Sequence, residues 1–155
     1  VRSSLLQFEF LANVSVGGFV KEYFEIMGSS HFCLVPVGTS SWTNHLYESF
    51  FAGCIPFILS DRFVLPFQDL IAWETLSIRW PEDEVNIEMY DYILEFVTQR
   101  KEVLEEMRER VDAAACWFDY YRYDSDCSPY SGIVKGLERR KRSMPAYLHP
   151  GHWIR

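Results

Sequence analysis

The residues best suited to binding a ligand lie between positions 38 and 48. A loop of small, mostly hydroxyl-bearing residues comes first, made of Gly38, Thr39, Ser40 and Ser41. Glycine lets a ligand approach the backbone, and the unpaired N–H groups that begin a following helix attract an anion. The loop would accept a phosphate or a diphosphate in this way. An ordinary turn between a strand and a helix is the alternative interpretation.

His45 and Glu48 follow this loop three positions apart, which places them on one face of a helix. From the first turns of that helix, His45 would donate to a phosphate and Glu48 would accept from a sugar hydroxyl. A pair exposed to solvent is the alternative. Neither GxxxxGKS/T nor GxGxxG occurs in the chain, so the loop is neither a Walker loop nor a dinucleotide fingerprint.

Hydrophobic patterning predicts the elements that carry these residues. Apolar runs at 31–37 and 55–59 indicate buried strands, and the region 42–53 between them has helical spacing. Alternation at 75–79 indicates a third strand. Strands that alternate with helices indicate an α/β fold, with a Rossmann-like parallel sheet flanked by helices.

Ligands bind such sheets beyond the carboxyl ends of the strands, where loops and helix N-termini converge. In this chain the predicted strands are followed by loops at 38–44, 60–66 and 80–84. Ser40 or Ser41 would cap the start of the helix after the first strand, and Gly53 would end it.

Further helices are predicted at 19–27, 68–72, 86–98 and 100–118. The segment 5–16 is compatible with a strand or a loop. The apolar face of the 86–98 helix comprises Ile87, Tyr90, Ile93, Leu94 and Val97. That of the 100–118 helix comprises Val103, Met107, Val111, Ala114 and Phe118.

Length and charge exclude several classes of protein. The chain has 155 residues, 48% of them apolar, and a net charge of −7, which excludes a disordered tail and a small disulfide-stapled protein. The negative total argues against a nucleic-acid partner, although residues 1–132 carry a net charge of −12 and residues 133–155 a net charge of +5. Residues 119–155 are expected to be an irregular tail. Its basic cluster is interpreted as a solvated end, a nuclear-type signal or an anion-binding patch, and comprises Lys135, Arg139, Arg140, Lys141 and Arg142.

The cysteines and histidines do not form a metal motif. The spacings of the four cysteines contain no CxxC pair, and His149 and His152 lack a partner at ligand spacing, so no metal is expected. Cys33 and Cys54 lie in apolar runs and are expected to be buried free thiols. A second pair, Cys116 and Cys127, would form a disulfide in an oxidising lumen, to which the glycosylation sequon Asn13-Val14-Ser15 also points.

Neither a membrane span nor a secretion leader is recognised. No stretch approaches the ~18–20 uninterrupted apolar residues of a spanning helix. Because the chain begins with Val1, it is interpreted as a piece of a longer product, with any anchor upstream.

Several motifs in order resemble the exostosin family of glycosyltransferases, glycosyltransferase family 47. The resemblance covers about residues 20–118. It is carried by SHFCLVPVG at 30–38, LYES at 46–49, GCIPFILSD at 53–61, LPF at 65–67, Trp73 and LSI at 76–78.

This resemblance implies that residues 1–118 form the carboxyl-terminal, donor-binding half of a two-lobed GT-B glycosyltransferase. The Gly38 loop and the helix after it would face the diphosphate of a nucleotide sugar, and Glu48 would hold the ribose of UDP. A glycan would be the acceptor. The helix N–H groups would stabilise the leaving diphosphate without a divalent metal, and the catalytic base would come from a missing amino-terminal lobe.

One position departs from the family pattern R-x-x-E, because His45 stands where the family has arginine. Arg62 is a candidate for the missing positive charge. Asp61 would reach the donor sugar or form a local Asx turn. The resemblance also implies a Golgi enzyme anchored in the membrane. The alternative function is an inactive nucleotide-binding or scaffold module that keeps the fold.

Overall fold

The computed structural model describes residues 1–18, 20–40, 42–123 and 125–143. Over these residues the helices are α1 (Arg2–Leu5), α2 (Tyr23–Ser29), α3 (Asn44–Phe51), α4 (Ile87–Gln99), α5 (Lys101–Ala114) and α6 (Pro129–Ser143). The strands are β1 (Phe32–Pro36), β2 (Ile55–Leu59) and β3 (Ile78–Arg79), and 3₁₀ turns lie at Leu6–Phe8, Trp73–Thr75 and Ala115–Phe118. The chain divides after Ala115 into two compact units. His149 and His152, where no zinc is predicted, lie outside the described residues.

The first unit is built on a parallel sheet with the strand order β1-β2-β3. Strands β1 and β2 pair over their whole length, from Phe32 opposite Ile55 to Pro36 opposite Leu59. Every residue of β2 is buried, as expected for a central strand covered on both faces. Helices α3 and α5 both contact β2. These findings confirm the predicted α/β fold, a Rossmann-like parallel sheet flanked by helices.

The apolar core lies on the sheet. Phe57 and Leu59 of β2 cluster with four buried residues from outside the sheet, which are Leu5, Phe8, Val85 and Met89. The segment 5–16 therefore begins with helical turns that contribute to the core, instead of a strand. Since burying one such side chain stabilises a fold by about 1.5–3 kcal/mol, this cluster anchors both α1 and α4 to the sheet.

The region between β2 and α4 departs from the prediction. In place of a helix at 68–72, the N–H groups of Leu70 and Ile71 both donate to Phe67 O, which makes a single turn. The third strand is shorter than predicted because the N–H groups of Leu76 and Ser77 both donate to Trp73 O. Their bonds belong to the 3₁₀ turn, so β3 begins only at Ile78.

The two long helices are confirmed, but their buried faces differ from the predicted ones. Helix α4 buries Met89 and Phe96 and leaves Ile87 and Leu94 exposed. Its sequence is apolar on most sides, so its periodicity permits more than one face, and packing selects between them. In α5 the buried residue is Leu104 in place of the predicted Val103, beside the expected Met107, Val111 and Ala114.

All four cysteines are paired in disulfides. Cys33 of β1 is bonded to Cys54, which directly precedes β2, with 5.7 Å between their Cα atoms. The prediction of buried free thiols at these positions is therefore wrong. Parallel pairing of β1 and β2 brings the two side chains within bonding reach, and sequence spacing alone does not show this register. Cys116 and Cys127 form the other disulfide.

The second unit contains a helix where an irregular tail was expected. Ser128 and Ser131 cap its start reciprocally, because each backbone N–H donates to the other residue's Oγ, at 3.1 and 3.2 Å. Pro129 suits the first helical position, since its missing N–H would have no partner there. The basic residues Arg140, Lys141 and Arg142 lie in the last turn, where positive charge complements the helix dipole.

In the part of the chain that the structure describes, no helix is long and apolar enough to cross a bilayer.

Candidate functional site

The predicted site loops leave the sheet side by side at one edge. Because β1 and β2 are parallel and in register, both strands end there, and Val37 N–H extends the pairing by donating to Leu59 O at 3.0 Å. Gly38 follows β1, whereas Asp61 and Arg62 follow β2. The carboxyl edge of the sheet therefore carries the two loops in which an open α/β fold binds its ligands.

The loop after β1 is folded on itself. Gly38 N–H donates to Ser40 O at 3.2 Å, and the Ser40 hydroxyl donates to Trp42 O at 3.2 Å. Gly38, Thr39 and Ser40 are all exposed, while Ser41 lies outside the described residues. The Gly38 amide is thus already bonded, so the side chains and the helix start that follows are the groups left for an anion.

Helix α3 begins at Asn44 and is capped by Thr43, not by Ser40 or Ser41 as predicted. Thr43 has extended backbone geometry, and its hydroxyl accepts the N–H of His45 at 3.3 Å. A cap must directly precede the first helical residue, and only Thr43 meets that condition. Gly53 follows the helix with a φ of 67°, the left-handed conformation that ends helices, as predicted.

His45 and Glu48 lie on one face of α3 and share a partner that the sequence did not reveal. The Tyr23 hydroxyl, at the start of α2, donates to Glu48 Oε2 at 2.6 Å and also contacts His45 Nδ1. His45 Nδ1 lies 3.7 Å from Glu48 Oε2, and both side chains are about two-thirds buried or more, with 26% and 35% exposed. The pair is therefore a constrained, largely buried cluster and not a solvated one.

The hydrogen bonds of this cluster define the proton on His45. Tyr23 has one hydroxyl proton, which it gives to Glu48, because an ionised carboxylate only accepts. The Tyr23 oxygen must then accept from His45, which places the imidazole proton on Nδ1 and leaves Nε2 as a lone pair. Burial lowers the pKa of His45, and the nearby charge of Arg2 lowers it further, although Glu48 partly opposes both. His45 is therefore neutral at pH 7.

Tyr23 is itself held as a neutral phenol. Burial raises its pKa well above the usual range, and the hydrogen bond to Glu48 and that carboxylate's charge raise it further. No sequence signal could have found this role, because Tyr23 fits the apolar pattern of its helix and reaches His45 only through tertiary packing.

Replacing Tyr23 tests its position between the other two residues. In Tyr23→Phe, Glu48 loses its phenol partner and becomes free to accept directly from His45, so we expect the pKa of His45 to rise. Stability should fall by about 0.5–1.5 kcal/mol for the lost hydrogen bond. NMR titration of the imidazole measures the pKa. Tyr90→Phe is the matched control, since that hydroxyl lies far from His45 along the chain and bonds Ala12 O at 3.5 Å. An unchanged pKa in Tyr23→Phe would contradict the proton assignment.

Asp61 and Arg62 are exposed on the neighbouring loop. The backbone N–H of Asp61 donates to Glu82 Oε2 at 3.3 Å, which ties the loop after β2 to the loop after β3. Among the described contacts the Asp61 carboxylate accepts no bond from its own turn, so an Asx turn is not formed. The structure brings Asp61 and Arg62 to the same sheet edge as His45 and Glu48 but shows no direct contact between the two pairs.

Arg2 is a second residue that sequence reasoning missed. Its Nη2 atom lies 3.3 Å from the position that a Cβ on Gly38 would occupy. The guanidinium therefore rests against the loop after β1, where the absence of a side chain on Gly38 leaves room for it. Its only sequence signal was the positive charge.

Within the described ranges, no three His, Cys, Asp or Glu residues are grouped so that they could hold a metal ion.

Comparison with known proteins identifies the family of this chain. The sequence model of the Exostosin GT47 domain matches residues 9–95, more than half of the chain and all of the predicted site. The matched region starts earlier than the resemblance over 20–118 and ends within α4.

Named relatives agree with this match. The chain is 37% identical over 133 residues to "Probable glucuronosyltransferase 47 A" of Physcomitrium patens, covering 83% of this chain and 28% of the relative. It is 32% identical over 133 residues to "Probable beta-1,4-xylosyltransferase IRX10L" of Arabidopsis thaliana, covering 83% of this chain and 31% of that relative. A shorter match, 44% identical over 63 residues, covers 41% of this chain and 15% of "Probable glucuronosyltransferase GUT1" of Oryza sativa subsp. japonica. The chain thus spans less than a third of the length of these relatives, and it belongs to the exostosin family of glycosyltransferases, GT47.

Proposed function

We propose that this chain is the donor-binding lobe of a GT-B glycosyltransferase that transfers a sugar from a UDP-sugar to a glycan acceptor. The observation that carries the proposal is the cluster of Tyr23, His45 and Glu48 at the carboxyl edge of a parallel sheet. The names of its relatives, glucuronosyltransferases and xylosyltransferases, support transfer of a hexuronic acid or a pentose.

Glu48 binds the ribose in this proposal. Its Oε2 atom is held by the Tyr23 hydroxyl, which fixes the carboxylate in one orientation. Among the described contacts Oε1 accepts no hydrogen bond, so it is available to the two hydroxyls of a ribose. A carboxylate accepts from hydroxyls more strongly than a neutral group does, which suits a sugar recognised by its two adjacent O–H groups.

The diphosphate lies over the start of α3. Thr39, Ser40 and Ser41 supply hydroxyls, the start of the helix supplies the Asn44 N–H and the positive end of its dipole, and His45 supplies Nε2. Gly38 contributes space more than a hydrogen bond, because its N–H is already bonded within the loop. As the glycosidic bond breaks, negative charge grows on the leaving diphosphate, and these groups stabilise it without requiring a metal ion.

Asp61 and Arg62 complete the site from the second loop. Arg62 faces the diphosphate as a further positive charge, and Asp61 accepts from a hydroxyl of the donor sugar. The catalytic base and the acceptor site belong to an amino-terminal lobe, which the relatives are long enough to contain.

A lumenal, Golgi location fits the two disulfides, since disulfides persist in oxidising compartments. The exposed Asn13 of the glycosylation sequon is consistent with the same compartment. Attachment to the membrane would rest on an anchor elsewhere in the protein.

The protonation of His45 provides a test of the diphosphate site. Neutral His45 presents a lone pair at Nε2, so it must gain a proton to donate to a phosphate. A bound diphosphate raises the pKa of His45, which the free chain holds below its usual value. The complex then binds more protons than the free chain, and UDP affinity must fall as pH rises.

UDP affinity is measured calorimetrically at pH 5.5 and pH 7.5 in the unaltered chain and in a His45→Arg variant. We expect the gain in affinity at pH 5.5 to be about tenfold larger in the unaltered chain than in the variant. This variant is the control because arginine stays charged, so that its pH dependence reports only the protonation of UDP itself. His45→Arg should also bind UDP more tightly than the unaltered chain at pH 7.5. Weaker binding by His45→Arg at pH 7.5, or the same pH dependence in both proteins, would show that His45 does not face the diphosphate.

A further inference from the structure

The proposed donor site lacks a permanent positive charge on the helix that forms it. Helix α3 carries no lysine or arginine, and His45 is neutral at pH 7 for the reasons given above. A diphosphate brings at least two negative charges, and helix N–H groups alone contribute only about half a charge. Positive charge must therefore come from outside α3, and in the proposed site Arg62 on the loop after β2 is so far its one source.

We infer that Arg2 supplies a second positive charge and binds the diphosphate of the nucleotide together with the start of α3. The inference rests on the proposed function and adds a binding residue to it. Arg2 lies outside residues 9–95, the part of the chain that matches the family domain.

The position of Arg2 is the first line of support. Its Nη2 and Cζ atoms lie 3.3 and 3.9 Å from the Cβ position of Gly38, at the first residue of the loop after Val37. Leu5 of the same short helix is buried in the core cluster with Phe57 and Leu59, so the start of α1 is anchored to the sheet. The guanidinium is thus held at the carboxyl edge by the packing of its own helix.

The second line of support is that Arg2 has no competing partner. Arg2 is exposed, and within the described residues its guanidinium has neither a carboxylate within 4.0 Å nor a hydrogen bond. An arginine that is positioned against a loop but unpaired keeps all five donors for a ligand, and its planar fork matches two phosphate oxygens.

The third line of support is the electrostatic coupling between Arg2 and His45. The charge of Arg2 disfavours protonation of His45, which shows that the two groups share one electrostatic environment. An anion that lies between two such groups is attracted by both and removes their mutual repulsion. Binding of a diphosphate to Arg2 therefore also favours the protonated His45 that the proposed function requires.

The test compares UDP with uridine, which has the same base and ribose but no phosphate. NMR titrations at pH 7.5 measure both affinities in the unaltered chain, Arg2→Gln, Arg2→Lys and the control Arg100→Gln. Arg100 is exposed, and its guanidinium lies 5.4 Å from the centroid of the Phe96 ring in α4. Arg100→Gln thus removes the same charge away from the loop. Thermal melting confirms that each variant is folded.

We expect Arg2→Gln to weaken UDP binding about tenfold while uridine binding stays within about twofold, and Arg2→Lys to show an intermediate loss. Arg100→Gln should bind UDP like the unaltered chain. Equal UDP affinity in Arg2→Gln and the unaltered chain would overturn the inference and leave the proposed function standing. An equal loss for uridine would overturn it too, because the effect would then not involve phosphate. If the unaltered chain binds uridine but UDP no better, or neither ligand, the proposed function fails and the inference with it.

Discussion

Glu48→Ala is expected to weaken UDP binding by about a hundredfold. The carboxylate makes charge-assisted hydrogen bonds to two ribose hydroxyls in the proposed complex, each worth about 1.5–3 kcal/mol. Losing both at the lower end of this range, about 3 kcal/mol in total, corresponds to about two powers of ten in affinity. The loss should be similar for uridine, because the missing contacts are to the ribose and not to the diphosphate.

Calorimetric or NMR titration measures this loss, with Glu88→Ala as the matched control. Glu88 is an exposed glutamate in the first turn of α4, and it carries the same charge outside the cluster. Glu48→Gln separates charge from shape, since the amide keeps the length of the side chain and should retain part of the affinity. A Glu48→Ala chain that binds UDP within about threefold of the unaltered chain would refute the assignment of the ribose to Glu48.

Phe50→Ala is expected to cost about 3–5 kcal/mol of the free energy of unfolding. Phe50 lies on the buried side of α3 with 1% of its surface exposed. Its ring meets the Trp73 ring edge to face, with 5.5 Å between the centroids. Truncation leaves a cavity where α3 packs, so the helix that carries His45 and Glu48 loses its support.

Urea unfolding measures the effect, and the neighbouring residue provides the control. Phe51 is 56% exposed, and Phe51→Ala should change the stability by no more than about 0.5 kcal/mol. If Phe50→Ala does not fold, Phe50→Leu keeps most of the apolar volume and should lose about 1–1.5 kcal/mol. Equal stability losses in Phe50→Ala and Phe51→Ala would show that α3 does not pack as described.

Strands β1 and β2 could be predicted from the sequence because each is marked locally. The apolar run of β2 is bounded by Gly53 and Ser60, and the strand lies at the predicted residues, Ile55–Leu59. The cap of α3 was not predictable in the same way. Ser40, Ser41 and Thr43 all carry a suitable hydroxyl, and the choice depends on which backbone takes the extended conformation before the first helical turn.

Contacts between distant residues account for most of what the sequence did not show. The Cys33–Cys54 disulfide depends on the register of β1 against β2, which spacing alone does not contain. Tyr23 reaches the site only because α2 is folded against it, 22 residues before His45 in the chain. Arg2 reaches it only because α1 is folded against it, 36 residues before Gly38. His45 and Glu48 were predicted because a helix places residues three apart on one face.

The acidic body of the chain makes the local charges at the site decisive. A net charge of −12 over residues 1–132 repels a UDP-sugar at long range. Binding must therefore depend on short-range groups at the carboxyl edge, which are the start of α3, His45, Arg2 and Arg62.

Mapping UDP on the isotopically labelled chain by ¹H–¹⁵N NMR tests whether the donor lies at the carboxyl edge of the sheet. We expect UDP to shift the amide signals of Thr39, Ser40 and Asn44 most strongly, together with that of Glu48, and to leave the signals from the exposed surface of α5 unchanged. Millimolar UDP that shifts no signal, or that shifts signals only away from the carboxyl edge of the sheet, would contradict it.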